Sequence, residues 1–261
     1  MTPLSFEVVP GDAASTVVLH VPHSSRTVPP DVRRGILLDD AALERELDAI
    51  TDARTDEIAL GAAEAAVVRP WVFVNRLSRL VVDPERFPDE REEMSEVGMG
   101  AVYERTTGLE VLRRPTDGER ASLLAAYFEP YADALARLVR ERLAAVGRVT
   151  VLDVHSYARD ALPYERHGDG PRPEVCLGTD AFHTPPSLVA AARACFEPHV
   201  DDLGLDSPFA GCYVPLEHYG VEPAVTGLML ELRRDVVAAR LDRLASATGA
   251  LVDRVEDDRP R

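Results

Sequence analysis

Two distant segments of this chain end in the same way, and that repetition limits the folds open to it. Thr16–Val21 is a short β-branched run leading into Pro22-His23-Ser24-Ser25. Far downstream, Arg148–Leu152 leads into Asp153-Val154-His155-Ser156. Valine-rich runs of this length, bounded by turn residues, read as buried strands. Each delivers a histidine and a serine where the strand should stop. In α/β sheets, ligands gather outside the carboxyl ends of strands. The two histidines therefore point to one shared metal or catalytic site.

The rest of the chain alternates between the two periodicities. Asp39-Asp40 caps a helix over 41–50, and a second helix starts at Thr51-Asp52 or Thr55-Asp56 and runs through Ala63. Val67–Val74 holds a strand interrupted at its start by Pro70, and Leu80-Val81-Val82 reads as a third short strand. Residues 86–118, rich in charge, Gly and Pro, read as a surface excursion forming a lid or pocket wall. Glu119–Val146 carries the apolar stripe of a helix, kinked or split at Pro130 and stopped by Gly147. A strand over Val149–Val154, a strand over Pro173–Leu177, a helix over Pro186–Phe196, a strand over Ala224–Leu232 and a helix over Asp235–Val255 follow. The tail Glu256–Arg261 is expected to fray. This alternation predicts an α/β fold: one three-layer domain over 1–261, with a mostly parallel or mixed central sheet and helices on both faces.

Forty-five acidic residues against 29 basic ones give a formal net charge of -16. That balance repels phosphate backbones and anionic membranes, which argues against nucleic acid or a membrane as partner. It leaves room for a local basic pocket that takes a small anion. The three cysteines, Cys176, Cys195 and Cys212, form neither a disulfide framework nor a CxxC zinc pattern and fit a reducing cytoplasm. No signal-peptide pattern and no bilayer-spanning apolar stretch is visible. The expectation is a soluble cytoplasmic protein, a monomer or a small homo-oligomer.

Several residues carry chemistry. His23 lies on a loop, whereas His20 lies inside its strand and reads as a hydrogen-bonded structural residue. Asp153 shares a strand face with His155 and can orient it. Asp52 and Asp56 are spaced i, i+4; capping accounts for one, and a nearby cation would make the pair easier to keep. Two histidines, one carboxylate and an open fourth position make the ligand set of a hydrolytic zinc site. Glu231 sits in the apolar run Leu228–Arg234, where an acid is costly unless functional or paired with Arg233, which has the same parity. Arg76, Arg79 and Arg86 bracket Leu80–Val82 and suit a small carboxylate ligand, with at least one of them at the surface.

In order and spread, these motifs resemble the N-formylglutamate amidohydrolase family. The resemblance rests on Val21-Pro22-His23-Ser24, Asp52 with Asp56, Arg79–Arg86, Asp153–Ser156, Cys176–Thr179, the loop Gly211–Gly220, and Glu231–Arg233. It implies a fold like that of zinc carboxypeptidases and hydrolysis of N-formyl-L-glutamate to formate and glutamate. It further implies that His23, Asp56 and His155 hold zinc, with Asp52 the alternative acidic ligand. Glu231 would activate water, Arg79 and Arg86 would grip substrate carboxylates, and His218 would touch substrate or stabilise the oxyanion. Glu85, beside the second arginine, departs from the family pattern and favours a different N-acyl amino acid or a short peptide. A non-catalytic binding protein is the alternative from another class. A serine hydrolase lacks its Gly-x-Ser-x-Gly elbow.

Overall fold

The computed structural model describes residues 5–166 and 170–258. The strands are, in chain order, β1 (Phe6–Val9), β2 (Val17–Val21), β3 (Trp71–Asn75), β4 (Val149–Tyr157), β5 (Val175–Gly178), β6 (Leu203–Leu205) and β7 (Val225–Arg233). They form one seven-stranded sheet in the order β1-β3-β2-β4-β7-β5-β6. β3, β2, β4 and β7 run parallel, β1 and β5 pair antiparallel with β3 and β7, and β6 runs parallel to β5. The central strands are covered on both faces, which is why they read as unbroken apolar runs.

The helices are α1 (Pro30–Arg33), α2 (Asp40–Ile50), α3 (Thr55–Ala65), α4 (Asp117–Leu123), α5 (Glu129–Val146), α6 (Pro186–Phe196) and α7 (Arg234–Asp257). One sheet face packs Leu19, Leu152, Val154 and Leu230 against Ile58 of α3, Ala192 of α6 and Leu251 of α7. The other packs Val18, Phe73 and Val151 against Tyr131, Leu135 and Val139 of α5. The α/β architecture expected from the alternation, a mixed sheet with helices on both faces, is the one the chain adopts. Asp39 caps α2 by accepting a 2.7 Å hydrogen bond from the Ala42 amide. Gly147 ends α5 in the left-handed region (φ 79°), where a side chain would be strained.

Four expectations need correcting. Leu80–Val82 is a buried turn: the Val81 amide donates to the Ser78 carbonyl, and its side chains divide between two clusters, so no face is left for a strand partner. The long helix is α4 and α5 joined by a π-helical turn at Leu124–Phe128, and Pro130 lies in the first turn of α5, where its missing N–H is harmless. Residues 86–118 are more than a surface excursion, because Met99, Tyr103 and Leu112 are fully buried. Glu256 does not fray; it is buried, closes the end of α7 and accepts hydrogen bonds from Ser15 Oγ and the Thr16 amide, both 2.7 Å. The remaining tail, 259–261, and the first four residues lie outside the described residues. Among the described residues, no helix is long and apolar enough to cross a membrane.

The face toward α5 changes character along the strands. Val18, Val151 and Gly227 stand in register on β2, β4 and β7. The next row on the same face is His20, Asp153 and Met229, and the row after that pairs His155 with Glu231. The polar rows lie at the carboxyl ends of the strands.

Candidate active site

His155 stands near the end of β4, and His23 follows Pro22 just beyond β2. Asn75 Nδ2 donates to the Pro22 carbonyl at 2.8 Å, and the Asp52 amide donates to the His23 carbonyl at 3.0 Å. These bonds draw the loops after β2, β3 and α2 together. His23 Nδ1 and His155 Nδ1 are 3.4 Å apart, and Asp52 Oδ2 is 2.9 Å from the latter and 3.7 Å from the former. Ligand atoms about 2.0–2.2 Å from one tetrahedral cation lie about 3.3–3.6 Å from one another. The three donors, all buried, are spaced to share one ion. Burial alone would raise the Asp52 carboxyl. Hydrogen bonds and charge from His155 and His23 outweigh it and hold the group below the ordinary carboxylate range.

Asp56, the acidic ligand expected first, is not in this cluster. Arg54 takes a left-handed backbone (φ 67°) before α3, so Asp52 belongs to the preceding loop and not to the helix that carries Asp56. Asp56 instead lies 3.5 Å from the guanidinium of Arg76. Arg76 also pairs with Glu7 at 2.6 Å, which makes it the outlying member of the arginine trio.

The second nitrogen of each histidine meets its own carboxylate. His23 Nε2 donates to Asp83 Oδ1 at 2.9 Å. His155 Nε2 lies 3.0 Å from Asp153 Oδ2. Such carboxylates fix the tautomer and raise the basicity of metal-ligating imidazoles. Burial would lower the pKa of His155, but Asp153 and then Glu85 lift it well above the usual range. Burial and Arg79 both lower His23, yet Asp83, Glu85 and Asp52 together leave it raised. His20 is hydrogen-bonded between Asp153 Oδ1 (2.9 Å) and the Tyr131 hydroxyl (2.6 Å), as expected of a buried structural histidine.

A cavity of about 150 Å³ opens on this cluster, lined among others by Glu231, Arg79, Arg86 and Arg234. Glu231 adjoins His155 in the sheet and is buried, and among the described residues its Oε2 has no hydrogen-bond partner. Burial pushes its carboxyl up to about 8. The alternative pairing with Arg233 is not formed; Arg233 binds Asp235 at 2.8 Å and approaches Glu174 at 3.6 Å. Arg79 is largely committed, with Nη2 and Nε at 2.7 and 3.2 Å from Asp83 Oδ2, and Nε also 3.0 Å from the Tyr103 hydroxyl. Arg86 is freer: its Nε is buried without a hydrogen bond, 3.6 Å from Asp83.

His218 is not among the residues that line the cavity. Its Nε2 faces Glu217 at 3.0 Å, on a turn after Pro215. Arg234 does line the cavity, and sequence reasoning passed over it. Its Nε is buried and unpartnered, Nη1 donates to the Ala49 carbonyl at 2.7 Å, and Nη2 lies 3.8 Å from Asp52. The only signal for it was its place just after the strand that carries Glu231.

Two solved structures share this architecture. An N-formylglutamate amidohydrolase from Ralstonia eutropha JMP134 is 19% identical, with a TM-score of 0.78 over 97% of each chain. A gene product of Agrobacterium tumefaciens is 21% identical, with a TM-score of 0.72 over 97% of this chain and 96% of that one. At such identities the likeness shows the fold. A comparison with curated proteins found no match. The sequence model described as N-formylglutamate amidohydrolase matches residues 15–238, which takes in every residue of the cluster and the cavity, and the chain belongs to that family.

Proposed function

We propose that this chain is a zinc-dependent amidohydrolase that cleaves the amide bond of an anionic N-acyl amino acid, with N-formyl-L-glutamate, giving formate and L-glutamate, as the first substrate to test. One observation carries the reading: two imidazole nitrogens and one carboxylate oxygen converge beside a buried, unpaired Glu231. His23, Asp52 and His155 would hold the ion. The chemistry a bound zinc supplies is Lewis-acid polarisation of the amide carbonyl and activation of a water at neutral pH.

The chain's own groups do the rest. Glu231, beside His155 in the sheet and lining the cavity, takes a proton from the attacking water in its ionised form and returns it to the departing nitrogen. Asp83 holds the His23 imidazole in one tautomer through a hydrogen bond, and the Asp153 carboxylate, 3.0 Å from His155 Nε2, favours the protonated form of that nitrogen by its charge. Arg86 and Arg234 line the cavity, and their guanidinium groups suit the carboxylates of the amino-acid half. Arg79 acts mainly by fixing Asp83.

Metal analysis and deformylase assays on the wild type, His23→Ala, His155→Ala and Glu231→Gln test this reading. The histidine variants should lose stoichiometric metal. Glu231→Gln should keep its metal and lose turnover by about 10²–10⁴-fold. Stoichiometric zinc in both histidine variants would show that the ligand set is wrong.

A further inference from the structure

A second cavity, of about 210 Å³, adjoins the first. Glu85, Arg86, Ala210 and Met229 line both. The two differ in chemistry. The first presents three guanidinium groups and Glu231. Away from the shared residues, the second is walled largely by apolar and aromatic side chains: Phe87, Phe128, Tyr213, Val214, Leu216 and Tyr219.

Glu85 stands at the boundary. Its side chain is 14% exposed, and Oε2 lies 3.3 Å from His155 Nε2 and 3.5 Å from His23 Nε2. Oε1 is 3.6 Å from His20 Nδ1, yet it is buried without a hydrogen bond. The carboxylate thus rests against the rear of the two candidate ligand histidines, and the residue borders both chambers.

A formyl group is one carbon and has no use for an apolar chamber of this size. An apolar cavity of about 150 Å³ is enough to take a benzene ring. We infer that the two chambers form one substrate cleft divided by Glu85, and that the apolar chamber receives an alkyl or aryl acyl group larger than formyl while the arginine chamber holds the carboxylate-bearing half. The substrate class is then N-acyl amino acids with apolar acyl groups. This rests on the proposed amide hydrolysis and narrows its substrate.

Binding separates the inference from that reading. Metal-loaded Glu231→Gln is titrated calorimetrically with N-formyl-, N-acetyl-, N-butanoyl- and N-benzoyl-L-glutamate. Each methylene buried in the chamber should tighten binding about fourfold, so butanoyl should exceed acetyl by about 15-fold. Leu216→Trp, in which an exposed wall residue is enlarged toward the chamber, should shrink the butanoyl and benzoyl advantage over formyl. Glu85→Ala, with metal content measured alongside, should widen it. Affinity that is flat or falls with acyl size overturns the inference, and a Glu85→Ala series parallel to the parent overturns the dividing role of Glu85. Rising affinity with no turnover of any member by the wild type leaves the cleft standing and refutes the proposed reaction.

Discussion

The two histidine arms of the site look alike from the front and differ behind. Each imidazole turns its second nitrogen to a buried aspartate, Asp83 for His23 and Asp153 for His155. Asp83 is then met by the guanidinium of Arg79 and by the Tyr103 hydroxyl at 2.5 Å, with Arg86 at 3.6 Å. Asp153 is met by His20, which in turn binds Tyr131, and by the Tyr213 amide at 3.4 Å. A guanidinium is always charged, whereas an imidazole is charged only when protonated. Asp83 therefore shares its field with a fixed positive charge, and Asp153 divides its field between His155 and His20. The result is visible in the imidazoles: both are raised, His155 the further. One arm is built as scaffold, and the other concentrates negative charge behind its imidazole.

The largest effect that would sharpen this contrast is on folding. Asp83→Asn takes from Arg79, whose side chain is only 11% exposed, its 2.7 Å carboxylate partner and leaves it, among the described residues, a single carboxylate, Asp52, at 3.8 Å. The expected loss is about 3 kcal/mol by denaturant unfolding of the metal-free protein. Asp153→Asn strands no guanidinium and should cost about 1–2 kcal/mol. Equal losses would break the comparison. On metal affinity the order reverses: Asp153→Asn should weaken zinc binding toward the upper end of a roughly 10–100-fold range, and Asp83→Asn toward the lower end, in a chelator competition.

Acid should act on both arms. Burial raises Asp83 and Asp153, but Arg79 in one case and His155 with His20 in the other hold them well below the ordinary range. A carboxyl depressed in the folded state contributes stability that is complete above its unfolded pKa, about 4, and is lost as the pH falls below it. Metal-free protein should therefore lose stability steeply from about pH 5 downward, and Asp83→Asn should flatten that slope. The tyrosines behind the two arms should differ in the same direction, and Tyr131→Phe is the smallest effect of the series. Tyr103→Phe removes a bond to a carboxylate and should cost about 1.5–3 kcal/mol, whereas Tyr131→Phe removes a bond to an imidazole and should cost about 1 kcal/mol.

The fold was legible where burial on both faces leaves an unbroken apolar run, as in β2, β4 and β7. It was not legible in the edge strands Phe6–Val9 and Leu203–Leu205, which are short and partly exposed. Leu80–Val82 shows the converse: three buried apolar residues need not be a strand when they divide between two clusters. In the site, strand ends announced His23 and His155, and parity tied Asp153 to His155. The choice between Asp52 and Asp56 turned on one left-handed residue, Arg54, that no residue pattern foretold. The partners of Asp83 were hidden for another reason. Tyr103 lies twenty positions away in a segment without regular structure, and only tertiary packing brings it in.

The row at which the sheet changes from apolar to ionisable has a consequence for variation. Val18, Val151 and Gly227 stand on one side of that line, and His20, Asp153 and Met229 on the other, two residues further along the same strands. Behind the line, substitutions are read out as foldedness. Ahead of it, they bear on the site and pocket shape as well as on stability, while the apolar packing of the sheet behind is kept. A lineage, or an engineer, can therefore rework the Met229 and Glu85 rim to change what the two cavities admit without renegotiating the core.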